Sequence, residues 1–514
     1  MFTMLICLAA SKPAHAEVPT GLSLPAIISD GMILQSRMRV PIWGGAPPSA
    51  DVTVRFAGEE VHTQSDPEGR WRLHLGPLDV STEPRVMTIQ SADAALRISD
   101  VQVGEVWVAA GQSNMWYPLS LMSNREAHRE AFDALQHVKV FRAVLAHRAD
   151  HWDKLDYGRA LGSSAVADYF ARHLAGAYPD VPIAIIDTSV GATWAESWMS
   201  RQALVEYNAD PAHEPKIAMD GTDYGGNPDF QPSRWYEAII TKIIPFGVRG
   251  VIWYQGEGNA AKPAQHDTLL PALIAQWRRD FERPDMTFLI CQLPPYHPRA
   301  AWDPRDQFWA YFRESQLRVG QSVPNTGMVV APECGAVGNI HPTHKDEFGE
   351  RLSLAARAIA YGEDIVYSGP IYARHQVDDG RIIVYFDHVG SGLTAKGASD
   401  LMQFEICGAD GQFVRAKAHI EGDTVVVSSP AVADPVHVRY AWTNYPADMT
   451  EANAALDALA EEAKGQPEPE TWLRKQIDTR HAENADYPVE ANLYNLDGLP
   501  ASPFRTDDFE FGSR

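Results

Sequence analysis

Several short segments of the chain carry the residue types that ester hydrolysis requires. They are Gly111-Gln112-Ser113-Asn114, Gly191-Ala192-Thr193-Trp194, Gln255-Gly256-Glu257-Gly258-Asn259 and Gly338-Asn339-Ile340-His341-Pro342. Together they offer a serine, a turn glycine, a carboxamide and a histidine. Water attacks an ester slowly, whereas a serine hydroxyl activated by an imidazole splits the reaction into acylation and deacylation. Ser113 is the candidate nucleophile. His341 is its candidate base, taking the hydroxyl proton and later returning it to the leaving alcohol. The tetrahedral intermediate carries an oxyanion that needs fixed donors. The backbone N–H groups of Ser113 and Gly191 and the side-chain amide of Gln255 are the candidates.

Each residue also has a plainer reading when taken alone. A serine after a strand is a turn or cap residue, Gly191 a turn residue, Gln255 a loop support and His-Pro a loop end. With 18 histidines in the chain, position has to choose among them. Glu257 reads as a brace for its loop, because a buried carboxylate needs partners and backbone amides are near. His341 and His344 have no third ligand or H-E-x-x-H frame beside them, so neither a metal nor another cofactor is expected.

The elements that position these segments are legible from hydrophobic periodicity. Short apolar runs at 103–109, 182–186, 250–254, 288–292 and 327–331 alternate with amphipathic stretches at 163–177, 234–246, 269–281, 308–319 and 346–361. In the first of these stretches Val166, Phe170, His173 and Ala177 recur every three or four residues. Continuously apolar strands alternating with helices predict a parallel sheet covered on both faces. Ligands bind such a sheet beyond the carboxyl ends of its strands, where all the segments above would converge.

The predicted fold is therefore α/β: a three-layer α/β/α domain over 101–363, flanked by β-sandwich-like regions. Residues 17–100 read as the N-terminal one, with Val52, Val54 and Phe56, then Trp71, Leu73 and Leu75, alternating with polar residues. Residues 364–514 return to β patterning, with an acidic helical insertion at about 447–488 around Leu456, Leu459 and Ala463. Residues 1–16 read as a signal peptide ending in Ala14-His15-Ala16, which predicts a periplasmic or secreted protein.

Composition narrows the function. The chain has 514 residues and a formal net charge of −23, which repels nucleic-acid phosphates and anionic lipid. No apolar run approaches the ~18 residues a membrane span needs. Cys7, Cys291, Cys334 and Cys407 form no CxxC pair, so a thiolate zinc site has no support.

Longer blocks carry a resemblance. Leu24-Pro25-Ala26-Ile27-Ile28-Ser29-Asp30-Gly31-Met32, the G-Q-S-N-M block at 111–115, Val251-Ile252-Trp253-Tyr254-Gln255-Gly256-Glu257, Ile340-His341-Pro342 and Gly498-Leu499-Pro500-Ala501-Ser502-Pro503-Phe504 are among them. Through these the chain resembles the sialate O-acetylesterase family of the SGNH hydrolase superfamily. The resemblance implies a serine nucleophile at Ser113, a base at His341, and oxyanion donors at Gly191 and Gln255. It also implies removal of O-acetyl groups from acetylated mono-, oligo- or polysaccharides, of the sialic acid or hemicellulose type.

Two departures stand out. Where the family has Asp-Ile-His-Pro, this chain has Asn339-Ile340-His341-Pro342, and an asparagine cannot stabilise an imidazolium as a carboxylate does. The third triad position is thus open between Asn339, Glu333 at the preceding strand end, and a plain Ser–His pair. The family's Gly-Gly-Thr is Gly191-Ala192-Thr193 here, with the first glycine kept. An Asp-x-x-His spacing occurs at Asp210–His213, in a long loop, and at Asp434–His437, in a predicted strand, and both read as decoys. Trp116, Tyr117, Trp194, Tyr254, Tyr296 and Trp302 lie near the proposed loops and suit sugar faces, although aromatics also fill cores. Arg125, Arg234 and Arg299 are available to a sugar carboxylate but form no obvious ring. The competing reading is a non-catalytic carbohydrate-binding protein on the same scaffold, for which Asn339 is the main support.

Overall fold

Alternation along the central strands builds two cores at once. In the computed structural model Val106, Val108 and Ala110 enter one buried cluster, and Trp107 and Ala109 enter another on the opposite face. Neighbouring strands repeat this: Val251 and Trp253 face the first cluster, Ile252 and Tyr254 the second. Both faces of the sheet are buried, which is why its strands read as unbroken apolar runs. The structure describes residues 19–143, 151–222, 227–296, 307–336, 339–447, 461–462, 464–466, 468 and 489–508.

The central strands lie in the order Thr326–Val329, Thr287–Cys291, Gly250–Tyr254, Ala94–Gly111, Ile183–Asp187, Val138–Arg142 and Trp152–Lys154. All neighbours are parallel except the last pair. Helices Ala165–Ala177 and Asp346–Ile359 cover one face through Val166, Phe170, Leu174, Phe348 and Leu352. Helix Pro263–Asp280 covers the other through Leu269, Leu273, Ile274 and Trp277. The expected three-layer α/β/α arrangement is present.

Three features differ from the periodicity reading. Strands Val138–Arg142 and Trp152–Lys154 extend the sheet where none was expected. The buried Lys139 interrupts the apolar pattern of the first, and its ammonium is paired with Asp100 at 2.8 Å. The stretch 234–246 forms only a π-helical turn, Tyr236–Ile240, and a short helix, Thr241–Ile243, with Pro245 closing off further helix. Finally, the boundary expected between residues 100 and 101 falls inside one 18-residue strand, Ala94–Gly111. Its first part pairs with Ser81–Ser91 and Ile33–Gln35, and its second with Ile183–Asp187 and Gly250–Tyr254. The N-terminal β region is therefore continuous with the central sheet.

The C-terminal region packs one four-stranded sheet, built around Arg381–Asp387 and Thr424–Ser428, against another built around Phe404–Cys407 and His437–Tyr440. Ile382, Val384, Phe404, Val425 and Tyr440 fill the space between them. The signal-peptide reading at 1–16 and nearly all of 447–488 lie outside the described residues. Among the described residues no helix is long and apolar enough to cross a membrane.

Candidate active site

Ser113 opens the short helix Ser113–Trp116 directly after the long strand. Gly111 makes the passage possible. Its φ is +138°, and a Cβ there would lie 2.1 Å from the carbonyl oxygen of Tyr254. The flanking strands hold this turn: the Gln112 N–H donates to Tyr254 O at 3.0 Å, and Gly111 O accepts from Val190 N–H at 3.1 Å. The Gln112 side chain adds a second tie, its Oε1 accepting from Gly258 N–H at 3.1 Å and from Gln255 Nε2 at 3.3 Å.

His341 arrives from the loop that precedes helix Asp346–Ile359, and its Nε2 lies 2.8 Å from Ser113 Oγ. Its ring stacks on Tyr117, centroids 5.0 Å apart and planes 6° from parallel. Tyr117 is itself tied to the nucleophile turn by its N–H, which donates to Ser113 O at 2.8 Å. Burial, and secondarily the neighbouring Lys345 ammonium, hold the imidazole below the usual histidine range. A neutral ring can accept the serine proton, so this shift favours the base role.

Gly191 lies against the nucleophile: a Cβ built on it would sit 3.7 Å from Ser113 Cβ. Neither the Ser113 nor the Gly191 N–H is taken up by another group among the described residues. Gln255 is placed differently from the expectation. It is fully buried, and its Nε2 is committed to Asn259 Oδ1 at 2.7 Å and to Gln112 Oε1 and Thr193 O, each at 3.3 Å. Its amide braces the loops behind the site instead of opening onto it.

The two candidates for the third triad position are likewise occupied elsewhere. Asn339 Oδ1 accepts the backbone N–H of His341 at 2.9 Å, capping the loop and leaving the ring alone. Glu333 grips Arg351 through both guanidinium Nη atoms, so its charge serves a buried arginine. Among the described residues no carboxylate bonds the far nitrogen of His341. His213 stacks on Tyr207 and faces Asp210 at 3.8 Å. His344 is exposed and bonded to Ser123 at 3.2 Å.

A buried polar bridge lies directly behind the pair. Asn114 Nδ2 donates to Glu257 Oε1 at 2.5 Å and to Ile340 O at 2.8 Å, while its Oδ1 accepts from Lys345 Nζ at 2.7 Å. Glu257 thus braces its loop through the Asn114 side chain as well as the backbone amides that were expected, those of Gly256 and Glu257 itself. Gln112, Asn114 and Lys345 were not singled out from sequence. The first two flank Ser113, a signal that was available. A lysine four residues past His341 reads as solvated until burial is seen.

The aromatics divide. Tyr254 is core, and Tyr296 packs edge-on against Trp309. Trp194 sits at the Gly258 loop, and Trp116, next to the nucleophile helix's end, is 39% exposed. Arg125 leans on Glu126 at 3.6 Å and Arg234 on the Trp235 ring, while Arg299 and Trp302 lie outside the described residues.

A hydroxyl and an imidazole thus meet beyond the carboxyl ends of a doubly covered parallel sheet, where such sheets bind their ligands, and together they define a hydrolase-type site. The model of a carbohydrate esterase family, the sialic acid-specific acetylesterases, matches residues 103–358. Human sialate O-acetylesterase is 28% identical over 487 residues, covering 85% of this chain and 90% of its own. The mouse protein of the same name is 26% identical over 504 residues, covering 83% and 91%. The crystal structure of a novel carbohydrate acetylesterase from Xanthomonas citri is 32% identical with a TM-score of 0.78, covering 95% of this chain and 100% of that one. The chain belongs to the sialic acid-specific acetylesterase family of carbohydrate esterases.

Proposed function

We propose that this protein removes O-acetyl groups from carbohydrates, with Ser113 as nucleophile and His341 as general base. The observation that carries the reading is the 2.8 Å contact between Ser113 Oγ and His341 Nε2, with Gly191 packed against the serine. Ser113 Oγ adds to the acetyl carbonyl carbon as its proton passes to His341 Nε2. The N–H groups of Ser113 and Gly191 receive the developing oxyanion. Collapse breaks the bond to the sugar oxygen, which takes the proton from His341, and an acetyl-serine remains. Water then repeats the sequence, giving up its proton to His341 and releasing acetate. The histidine works as one half of a Ser–His pair, its orientation set by Tyr117 and the Asn339 cap.

Trp116 offers a flat, exposed face to sugar C–H groups immediately beside the nucleophile. In this reading 101–363 is the catalytic unit, between β regions at 17–100 and 364–514, and the protein is periplasmic or secreted after removal of 1–16. A non-catalytic binder would not need the hydroxyl–imidazole contact, and the family gives that alternative no support. The test is acetate release from O-acetylated sialic acids and acetylated xylo-oligosaccharides by the wild type and Ser113→Ala. Release by the wild type alone supports the reading, and equal release by both overturns it.

A further inference from the structure

The catalytic loop is fastened to the nucleophile helix one residue behind each reacting group. Asn114 follows Ser113, Ile340 precedes His341, and the Asn114 Nδ2 to Ile340 O bond of 2.8 Å joins them. The Asn114 amide cannot turn over. Its oxygen faces Lys345, which only donates, and its nitrogen faces Glu257 and a carbonyl, which only accept when Glu257 is ionised. Asn114 and Lys345 are fully buried, and the second oxygen of Glu257, Oε2, is shut off from solvent. Misalignment of any member would strand a polar group away from solvent.

Lys345 has a second connection to the pair. Its ammonium lies 5.1 Å from the Tyr254 ring centroid and 5.8 Å from that of Tyr117, the ring on which His341 stacks. We propose that Lys345 and Glu257 are positioning residues that, through Asn114, set the spacing of the Ser113–His341 pair, with the Lys345 ammonium placed as a like charge behind the ring on which His341 stacks. They would supply from behind the orientation that a carboxylate on the far ring nitrogen supplies in a complete triad. This inference rests on the Ser113–His341 reading above.

The charged and titratable groups around the bridge are few. Lys345 faces Glu257, Cys291 and Cys334, with the two tyrosine rings beside it, and His341 faces Lys345, Tyr117 and Ser113. Burial pushes Lys345 down to about 8 and Glu257 up to about 6, so between those values the bridge holds an ammonium and a carboxylate joined by one amide. Both cysteine thiols are pushed up by burial and stay neutral there.

Three substitutions separate charge from hydrogen bonding. Lys345→Met removes both, Lys345→Gln keeps a donor without charge, and Lys345→Arg keeps charge and donors. Each is measured as kcat and KM for chromogenic acetate ester hydrolysis across pH, with circular dichroism confirming the fold. Removing the like charge lets His341 hold its proton more tightly, so the acid limb of kcat/KM moves to higher pH in Met and Gln. In Arg it stays at the wild-type position. In Met, kcat falls about tenfold to a hundredfold while KM changes little. Should Met fail to fold, Gln against Arg still reads the charge. Acid limbs that coincide in wild type and Gln, or a loss confined to KM, would overturn the inference. Ser113→Ala is the control: if it keeps turnover the site reading itself fails, whereas an inactive Ser113→Ala beside a wild-type-like Lys345→Gln sinks only the inference.

Discussion

Ser113 and His341 are 2.8 Å apart, yet they are held by different kinds of structure. The serine half is built by backbone. A strand ends, a glycine at φ +138° passes against the next strand, and main-chain bonds to Tyr254 and Val190 fix the turn. The histidine half is built by side chains: the Tyr117 ring, the Asn339 cap and the Asn114 amide that reaches Ile340. A ladder of main-chain bonds tolerates side-chain change, whereas a loop held by three side chains loses alignment by degrees. The nucleophile should therefore fail all-or-none under substitution, and the base should fail in graded steps.

Removing a reacting group should have the largest effect. Ser113→Ala and His341→Ala each should lower kcat by about 10⁴-fold or more with little change in melting temperature. Purified variants assayed for acetate release check this, and a mild loss in either would break the division into two halves.

Next come the supports of the ring. Tyr117→Leu keeps apolar bulk but loses the stacked plane, and should lower kcat about tenfold with KM little changed. The wild-type acid limb sharpens the same point. Because burial and Lys345 hold His341 down, half-maximal kcat/KM on the acid side should lie below pH 6.5, the ordinary histidine value. A limb above it would mean that a carboxylate dominates the ring.

Smaller still is Asn339→Asp. Its side chain meets the His341 backbone N–H, and an aspartate there can accept the same bond. We expect kcat within about threefold of wild type. A large gain would mean that position 339 reaches the ring in solution. Glu333→Gln should leave kcat unchanged and lower the melting temperature by a few degrees, because Arg351 then loses its charged partner. Full inactivation would restore Glu333 as the missing acid. Chelators should change nothing in any of these variants.

These contrasts track what the chain made legible. Ser113, Gly191 and His341 stood out because each follows a strand that periodicity reveals, and strand ends converge by topology alone. Gln255 followed a strand too, but which way a buried amide turns depends on neighbours such as Gln112 and Thr193 that lie in other segments. Lys345 was invisible for the opposite reason. Exposure is the default for a lysine, and only the packed structure shows its burial among Tyr254, Tyr117 and Asn114. Asn339 stood at the right place in the chain, yet a two-residue step let it cap the backbone instead of the ring.

The strand Ala94–Gly111 has a consequence for which length changes the protein can survive. Its pairings with Ile33–Gln35 and Ile183–Asp187 abut directly, with Gln35 opposite Gly104 and Ile183 opposite Glu105. There is no loop between the two ladders to absorb an inserted or deleted residue. One added residue near 102–105 would exchange the faces of Val106, Val108 and Ala110 with those of Trp107 and Ala109, turning each core's side chains into the other. A tryptophan would then occupy space shaped for valine and alanine, and the Gly111 passage would lose its register against Tyr254. The joint between the first β region and the hydrolase sheet is thus a place where the reading frame of the side chains, rather than their identity, is under constraint, and grafting either part onto another scaffold must conserve parity along this strand.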